Sequence, residues 1–216
     1  MRTMTATERL RAAADDLGRG TTACFRPKTS LDQSPADDSI VSLAVARAKL
    51  GDHDAVRYLY LRYSDNVYGY VRSIVRDEHE AEDVTQHVFA KLMTVLPKYE
   101  ERETPFAAWV LRVARNVALD FMRQRRAVPY EEVREVDPLG EAAFDDLALS
   151  LREAIDELPD GQREVVVLRH VLGLSPGEIA DCLGKSEPCI HGLHHRGRGA
   201  LRAALAERGV APSVAA

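Results

Sequence analysis

Cysteine and histidine side chains cluster in the last predicted helix of the chain, at Cys189, His191, His194 and His195. Thiolates and imidazoles at close spacing are the ligands that zinc prefers in proteins. On a single helix, however, these four positions fan over more than one face and do not converge on one point. We therefore expect no metal site and no cofactor, and we expect Cys182 to fill the core as a small apolar residue.

Carboxylates are most concentrated in a segment that has no pattern of regular structure. Residues 127–148 contain two prolines and a glycine, and Arg134 is the one basic residue among many Asp and Glu. Such a composition is typical of a flexible acidic linker rather than of a catalytic pocket. The chain also has no glycine-rich phosphate loop, no nucleophile elbow and no HExxH pattern. We expect a protein that is not an enzyme.

Basic side chains follow a pair of short predicted helices near the C-terminus. Ser175 and Glu178 have the spacing of a capping box, Gly184 permits a tight turn, and Ser186 precedes the next helix. Two short helices joined in this way form a helix-turn-helix, whose second helix can lie in the major groove of DNA. Arginines along that helix suit phosphates, which supply most of the affinity for nucleic acid.

Helical periodicity accounts for the rest of the chain, and no segment alternates convincingly at period two. The predicted class is all-α, with two small helical bundles at residues 39–126 and 149–208 joined by the flexible acidic linker at 127–148. Residues 1–38 are predicted as a flexible N-terminal tail, in which Thr5 and Glu8 cap a short helix, and residues 209–216 as a C-terminal tail.

Bulk composition is that of an ordinary globular protein, with 45% hydrophobic and 29% charged residues and a net charge of -5 over 216 residues. Three cysteines are too few for a disulfide scaffold and fit a reducing compartment. No apolar run is long enough to span a membrane, and no apolar signal core follows Arg2. We expect a cytoplasmic protein without membrane insertion.

Three sequence patterns together resemble the extracytoplasmic-function (ECF) RNA polymerase sigma factors of the sigma-70 family. HEAEDVTQHVF at 79–89 is similar to sigma region 2.2, and FAAWVLRVARNVALD at 106–120 to regions 2.3 and 2.4. LP at 158–159, REVVVLR at 163–169 and GLSPGEIA at 173–180 are similar to region 4. The resemblance implies that the first bundle is sigma region 2 and the second is the region 4 helix-turn-helix.

The resemblance also implies partners and sites. The partners would be core RNA polymerase, through its beta and beta-prime subunits, promoter DNA, and an anti-sigma factor. Contact with core polymerase is expected from Glu82, Asp83, Gln86, His87 and Phe89. Contact with the minus-10 element is expected from Lys98, Tyr99, Arg102, Arg112, Arg115, Asn116 and Arg123. Contact with the minus-35 element is expected from Lys185, Ser186, Glu187, His191, His194, His195, Arg196 and Arg198.

Two features leave room for other interpretations. Region 4 alone is shared in large part with LuxR-type transcription regulators, which are the alternative function, although these lack the patterns of the first bundle. The recognition helix also departs from the family: His191 and Leu193 replace basic residues, and Gly192 and Gly197 each weaken the helix by about 1 kcal/mol relative to Ala. Trp109 lies beside an apolar stripe and is expected in the core.

Overall fold

The computed structural model describes residues 5–18, 35–100, 104–127 and 146–210, and all the regular structure in these ranges is helical. The N-terminal bundle comprises α1 (Ala6–Gly18), α2 (Pro35–Ala48), α3 (His53–Val75), α4 (Glu78–Val95), a 3-10 turn (Leu96–Lys98) and α5 (Phe106–Ala127). The C-terminal bundle comprises α6 (Asp146–Asp156), α7 (Asp160–Val166), a π-helical turn (Val167–Val171), α8 (Pro176–Leu183) and α9 (Glu187–Glu207). The predicted all-α class is confirmed.

Parts of the predicted organisation fall outside these ranges. The acidic linker lies mostly at 128–145, and most of the C-terminal tail lies at 211–216, where the structure describes nothing. The exact domain boundaries therefore stay predictions. Among the helices that are described, none is both long and apolar enough to cross a lipid bilayer.

Aspartate side chains fix the starts of α3 and α4. The Asp52 carboxylate accepts a hydrogen bond from the backbone N–H of Asp54 at 2.9 Å, at the start of α3. The Asp77 carboxylate accepts one from the backbone N–H of Glu80 at 2.8 Å, at the start of α4. These bonds satisfy N–H groups that have no partner within the helix. The Glu80 side chain pairs with Arg125 of α5 and so ties α4 to α5.

Helix α3 is the centre of the N-terminal bundle and packs against α1, α2, α4 and α5. Its apolar and aromatic side chains recur every three or four residues, so they form a stripe that these neighbours bury. Those at most 2% exposed include Leu59, Tyr63, Val67, Tyr70 and Val71. From α4, the fully buried side chains are Ala81, Val84 and Val88.

An aromatic cluster closes one end of this core. Tyr99 lies with its ring centroid 5.2 Å from Phe106 and 4.8 Å from Trp109, and Phe106 also contacts Tyr63 at 5.5 Å. Edge-on and tilted arrangements at these distances are favourable for aromatic pairs. The expected core role of Trp109 is confirmed, since its ring packs against the buried cluster.

Helix α1, within the predicted N-terminal tail, packs against the N-terminal bundle. The predicted cap is present: the Thr5 N–H donates to the Glu8 carboxylate at 2.7 Å, and the helix begins at the next residue. The helix is docked on α3, with Leu10 fully buried and the Arg11 guanidinium 2.8 Å from the Asp54 carboxylate. A tail predicted as flexible over residues 1–38 thus contains a packed helix. Sequence periodicity revealed the helix but not its docking site, because docking depends on the distant surface of α3.

The helix-turn-helix of the C-terminal bundle forms as the sequence predicts. Ser175 and Glu178 make both bonds of the capping box, at 3.3 Å and 2.7 Å. Gly184 ends α8 with a φ of 63°, a left-handed conformation that favours glycine. Ser186 has the extended backbone of an N-cap before α9, but its hydroxyl makes no capping bond.

Gly197 has a packing role that the sequence does not show. An added Cβ at this position would lie 2.9 Å from Val166 Cγ2 and 3.3 Å from the Gln162 carbonyl oxygen, so α7 and α9 cross here at close range. An added Cβ at Gly199 would meet nothing within 4 Å.

We expect Gly197→Ala to destabilise the C-terminal bundle by about 1–3 kcal/mol, because overpacking outweighs the gain in helix propensity. Gly199→Ala is the matched control and should stabilise it by up to about 1 kcal/mol. Urea unfolding followed by circular dichroism measures both. Equal effects of the two substitutions would refute the close crossing.

Candidate protein and nucleic-acid interfaces

One face of α4 presents polar side chains beside an exposed aromatic. Asp83, Gln86 and His87 are exposed, as is Glu82, while the intervening Val84 and Val88 are fully buried. The core side of the helix therefore holds its position without these polar groups. They are free to contact a partner protein.

Apolar side chains border this polar face. Phe89 is half-buried and packs edge-on against Tyr60 of α3, with ring centroids 4.8 Å apart. Tyr60 remains 47% exposed, and Met93 of α4 is 37% exposed. Exposed aromatic and methionine side chains beside polar groups are typical of protein interfaces. The sequence analysis identified Phe89 but missed Tyr60 and Met93, because helical periodicity alone does not show which apolar side chains remain exposed.

The loop before α5 differs from the expectation for DNA contact. Lys98 is exposed, but Tyr99 is only 3% exposed and its hydroxyl donates to the Thr104 carbonyl at 3.1 Å. Lys49, just after α2, covers the ring and donates to the Tyr99 carbonyl. The Tyr99 ring is thus part of the core, and in this conformation it cannot stack on a base. Arg102 lies outside the described residues.

Helix α5 presents a basic face with one exception. Arg112, Asn116 and Arg123 are exposed on it, and Arg123 pairs with Asp120 at 2.9 Å. Arg115 is directed to the C-terminal bundle instead, where its Nε lies 2.8 Å from the Glu164 carboxylate. Burial lowers the pKa of Arg115, but the hydrogen bond and charge of Glu164 outweigh this effect and leave the pKa above its ordinary value. Arg115 is therefore a charged group that is already partnered.

The first half of α9 and the turn before it form an exposed polar and basic surface. Its exposed members are Lys185, Ser186, Glu187, His191, His195, Arg196 and Arg198. Ile190 anchors the helix from beneath with 1% exposure, and Cys182 of α8 is buried at 3%, which confirms its role as an apolar residue. In the described ranges, no three His, Cys, Asp or Glu side chains are arranged to hold a metal ion.

His194 is half-buried and paired with a histidine that the sequence analysis did not single out. Its Nε2 lies 2.8 Å from Nε2 of His170, in the π-helical turn, and the two rings are stacked at 5.0 Å. A hydrogen bond between two imidazoles requires that at least one be neutral. Burial lowers the pKa of both histidines, and the charges of Arg198 and Arg169 lower both pKa values further; the charge of His170 also lowers the pKa of His194.

This pair predicts a pH dependence of stability. Because the folded pKa values lie below the ordinary 6.5, the unfolded chain binds more protons than the folded chain as the pH falls below 6.5. The stabilisation is complete above that pH and is lost progressively on acidification. We expect His170→Gln with His194→Gln to flatten the dependence of unfolding free energy on pH between about 7 and 5.

The exposed His195→Gln is the control for this measurement, since it removes a histidine of the same helix outside the pair. It should leave the pH dependence as in the unchanged protein. If the unfolding free energy of the double variant depends on pH as steeply as that of the unchanged protein, the histidine pair is not the source of this dependence.

Two protein families match the two bundles. Sigma-70 region 2 matches residues 59–128, and Sigma-70 region 4 matches residues 148–201. Among characterised relatives, the ECF RNA polymerase sigma factor BldN of Streptomyces coelicolor is 31% identical over 169 residues, covering 74% of this chain and 64% of BldN. SigD of Mycobacterium tuberculosis, also an ECF sigma factor, is 32% identical, covering 74% of this chain and 79% of SigD. This chain thus spans less than two thirds of BldN and more than two thirds of SigD.

A solved structure shows the same fold. CnrH, in complex with the cytosolic domain of CnrY, has a TM-score of 0.60 and 29% identity, covering 76% of this chain and 96% of CnrH. The match to region 2, in addition to region 4, favours the sigma-factor interpretation over the LuxR-type alternative. The chain belongs to the ECF RNA polymerase sigma factors of the sigma-70 family.

Proposed function

We propose that this chain binds core RNA polymerase and directs it to specific promoters, and that it is not itself an enzyme. The observation that carries the proposal is that the two bundles of one chain present different surfaces. The N-terminal bundle presents the polar and aromatic face of α4 beside the basic face of α5, and the C-terminal bundle presents a helix-turn-helix with a basic second helix.

Each surface suits a different partner. The proposed polymerase surface comprises Glu82, Asp83, Gln86, His87 and Phe89, and we add to it the exposed neighbours Tyr60 and Met93. Its carboxylates complement a basic helical partner, such as a clamp of the beta-prime subunit, and its rings supply the apolar centre that interfaces need. Contact with the beta subunit is proposed for the C-terminal bundle.

The basic surfaces suit promoter DNA. On α5, Arg112, Asn116 and Arg123, together with Lys98, are available to the minus-10 element. The turn and first half of α9 are available to the minus-35 element, where imidazoles and arginines meet base edges and phosphates. Such a role places the chain in the cytoplasm, with the genome and polymerase.

An anti-sigma factor is proposed as a third partner. The related CnrH was solved with the cytosolic domain of CnrY, so a chain of this fold accommodates a protein ligand. An anti-sigma factor would keep the chain from polymerase until it is needed. The carboxylates of α4 and the adjacent rings form the surface where such competition is most direct.

Run-off transcription tests the function. Purified core polymerase with this chain should produce defined transcripts from a library of promoter fragments, and core polymerase alone should not. The LuxR-type alternative predicts the opposite dependence, with specific DNA binding by the chain alone and no transcription from core polymerase. Absence of any chain-dependent transcript would count against the proposal.

A further inference from the structure

Two arginines and two histidines lie together where the π-helical turn meets α9. Arg169 and His170 belong to the turn at Val167–Val171, and His194 and Arg198 lie one helical turn apart on α9. The two imidazoles join these elements, since their Nε2 atoms are 2.8 Å apart. Turns of the π-helical type are rare and occur frequently at functional sites. Neither Arg169 nor His170 was expected to contact DNA, but the fold places both beside the helix from which that contact is expected.

The arginines of this cluster have no acidic partner. Arg169 is exposed, and its Nη1 donates to the Leu174 carbonyl, a neutral group, at 2.8 Å. Arg198 is exposed as well, and in the part of the chain that the structure describes neither arginine takes part in an ion pair. Guanidinium groups suit phosphate particularly well, because they present paired N–H donors. Two guanidiniums that flank one imidazole pair and lack a counter-charge therefore favour a bound phosphate.

The charged groups around the imidazole pair are arginines and another histidine. Burial is the main cause that lowers the pKa of His170 and of His194, and the charges of Arg198 and Arg169 lower both further. His191, one turn earlier on α9, also lowers the pKa of His194. A negatively charged ligand beside the arginines would therefore raise both pKa values. From α7 and α8, the side chains that line the depression beside His194 are uncharged: Val165, Pro176 and Ile179.

One added proton preserves the bond between the two rings. In the neutral pair, the Nε2–H of one imidazole donates to the Nε2 lone pair of the other. When one ring becomes an imidazolium, its Nε2–H still donates to the neutral partner, whereas two imidazolium rings would face each other with hydrogens on both nitrogens. The pair can therefore accept one proton without rearrangement, and its positive charge then adds to that of the arginines.

We propose that this cluster is a proton-linked phosphate site of the DNA interface, in which Arg169 and Arg198 hold one backbone phosphate while the pair of His170 and His194 takes up a proton. The proposal rests on the proposed promoter binding and extends its surface from α9 to the π-helical turn. Coupling between two ligands is reciprocal. Because phosphate binding favours uptake of a proton, a lower pH must strengthen binding to DNA.

The affinity of the full chain for DNA at two pH values tests the proton linkage. A short labelled duplex of random sequence is the probe, because phosphate contacts carry no sequence information. At constant ionic strength, we expect fluorescence anisotropy to show an affinity about three- to tenfold higher at pH 6.0 than at pH 7.5, as uptake of about half a proton per bound chain requires. His170→Gln with His194→Gln should reduce this ratio to less than about twofold, because amide side chains form hydrogen bonds but do not titrate.

Two single variants are controls for the other histidines. His195→Gln removes an exposed imidazole of α9 that has no ring partner within the described residues, and its ratio of affinities at the two pH values should equal that of the unchanged chain. His79→Gln, at the exposed start of α4, should change neither the ratio nor the affinity. An undiminished ratio in the double variant, or an equal reduction by His195→Gln, would overturn the site.

Imidazole resonances give a second measurement that does not depend on the folding of a variant. In the unchanged chain, NMR titration should show higher pKa values for His170 and His194 with the random duplex than without it. His79 should titrate alike in both samples. If DNA leaves the pKa values of the pair unchanged, no proton is taken up at this site and the proposal fails.

Arg169→Gln tests the phosphate contact itself. It should lower the slope of log affinity against log salt by about 0.9 for the random duplex, since one phosphate fewer is neutralised. Arg152→Gln, at an exposed position of α6, is the matched control and should keep the slope of the unchanged chain. An unchanged slope for Arg169→Gln would exclude this guanidinium from the DNA surface and would refute the site.

Run-off transcription with core polymerase separates this proposal from the proposed function. If the proton linkage depends on the pair but no promoter fragment gives a chain-dependent transcript, the proposed function fails and the phosphate site stands as part of a general DNA-binding surface. If transcription depends on the chain but neither the affinity ratio nor the NMR titration involves the pair, the phosphate site fails and the function stands.

Discussion

Replacing Asp83 and Gln86 together by Ala is expected to weaken binding of the chain to core RNA polymerase by about 30-fold, the factor that corresponds to a contribution of about 1 kcal/mol from each side chain. Both side chains are exposed on α4, and the helix is held by Val84 and Val88 beneath them. The substitution therefore removes contacts without disturbing the core. Fluorescence anisotropy of labelled chain with core polymerase, in the absence of DNA, measures the affinity.

The matched control is Asp120→Ala with Gln124→Ala, which removes the same two chemical groups from the exposed surface of α5. This control should bind core polymerase as the unchanged chain does, and circular dichroism should show equal helical content for both double variants. If the α4 variant binds as tightly as the control, the polymerase surface does not lie on this face of α4. Met93→Ala then tests separately whether the apolar border contributes.

Local sequence patterns predicted the features that depend on neighbouring residues. The cap at Ser175 and the turn at Gly184 are set by hydrogen bonds and backbone angles within a few positions, and the structure shows them where they were expected. The burial of Cys182 was likewise predictable, since a small apolar residue on a short amphipathic helix has one face to occupy.

Features that depend on distant residues were not predictable in this way. Tyr99 was expected to face a base, but its ring completes an aromatic cluster with residues of α5. Arg115 lies near the basic face of α5 by periodicity, yet a carboxylate 49 positions away determines its direction. No local sequence pattern singled out His170, because its role depends on contact with His194 in another helix of the bundle. Periodicity predicts on which face of a helix a residue lies, whereas the residues that pack against that face are determined by the folded structure.

Replacing Arg196 and Arg198 together by Ala is expected to reduce affinity for duplex DNA carrying the minus-35 element by about tenfold or more at low salt. Both guanidiniums are exposed on α9, and within the described residues neither takes part in an ion pair. Each phosphate contact releases a condensed counterion. Loss of two contacts should therefore lower the slope of log affinity against log salt by about 1.8.

The salt dependence distinguishes contact with phosphates from a general change in charge or stability. Arg152→Ala, at an exposed position of α6 in the same bundle, serves as the control and should keep the slope of the unchanged chain. A variant that only destabilised α9 would bind more weakly at every salt concentration, but its slope of log affinity against log salt would be that of the unchanged chain. Because counterion release depends on the number of phosphates neutralised, an unchanged slope in the double variant would remove Arg196 and Arg198 from the interface, whatever happened to the affinity.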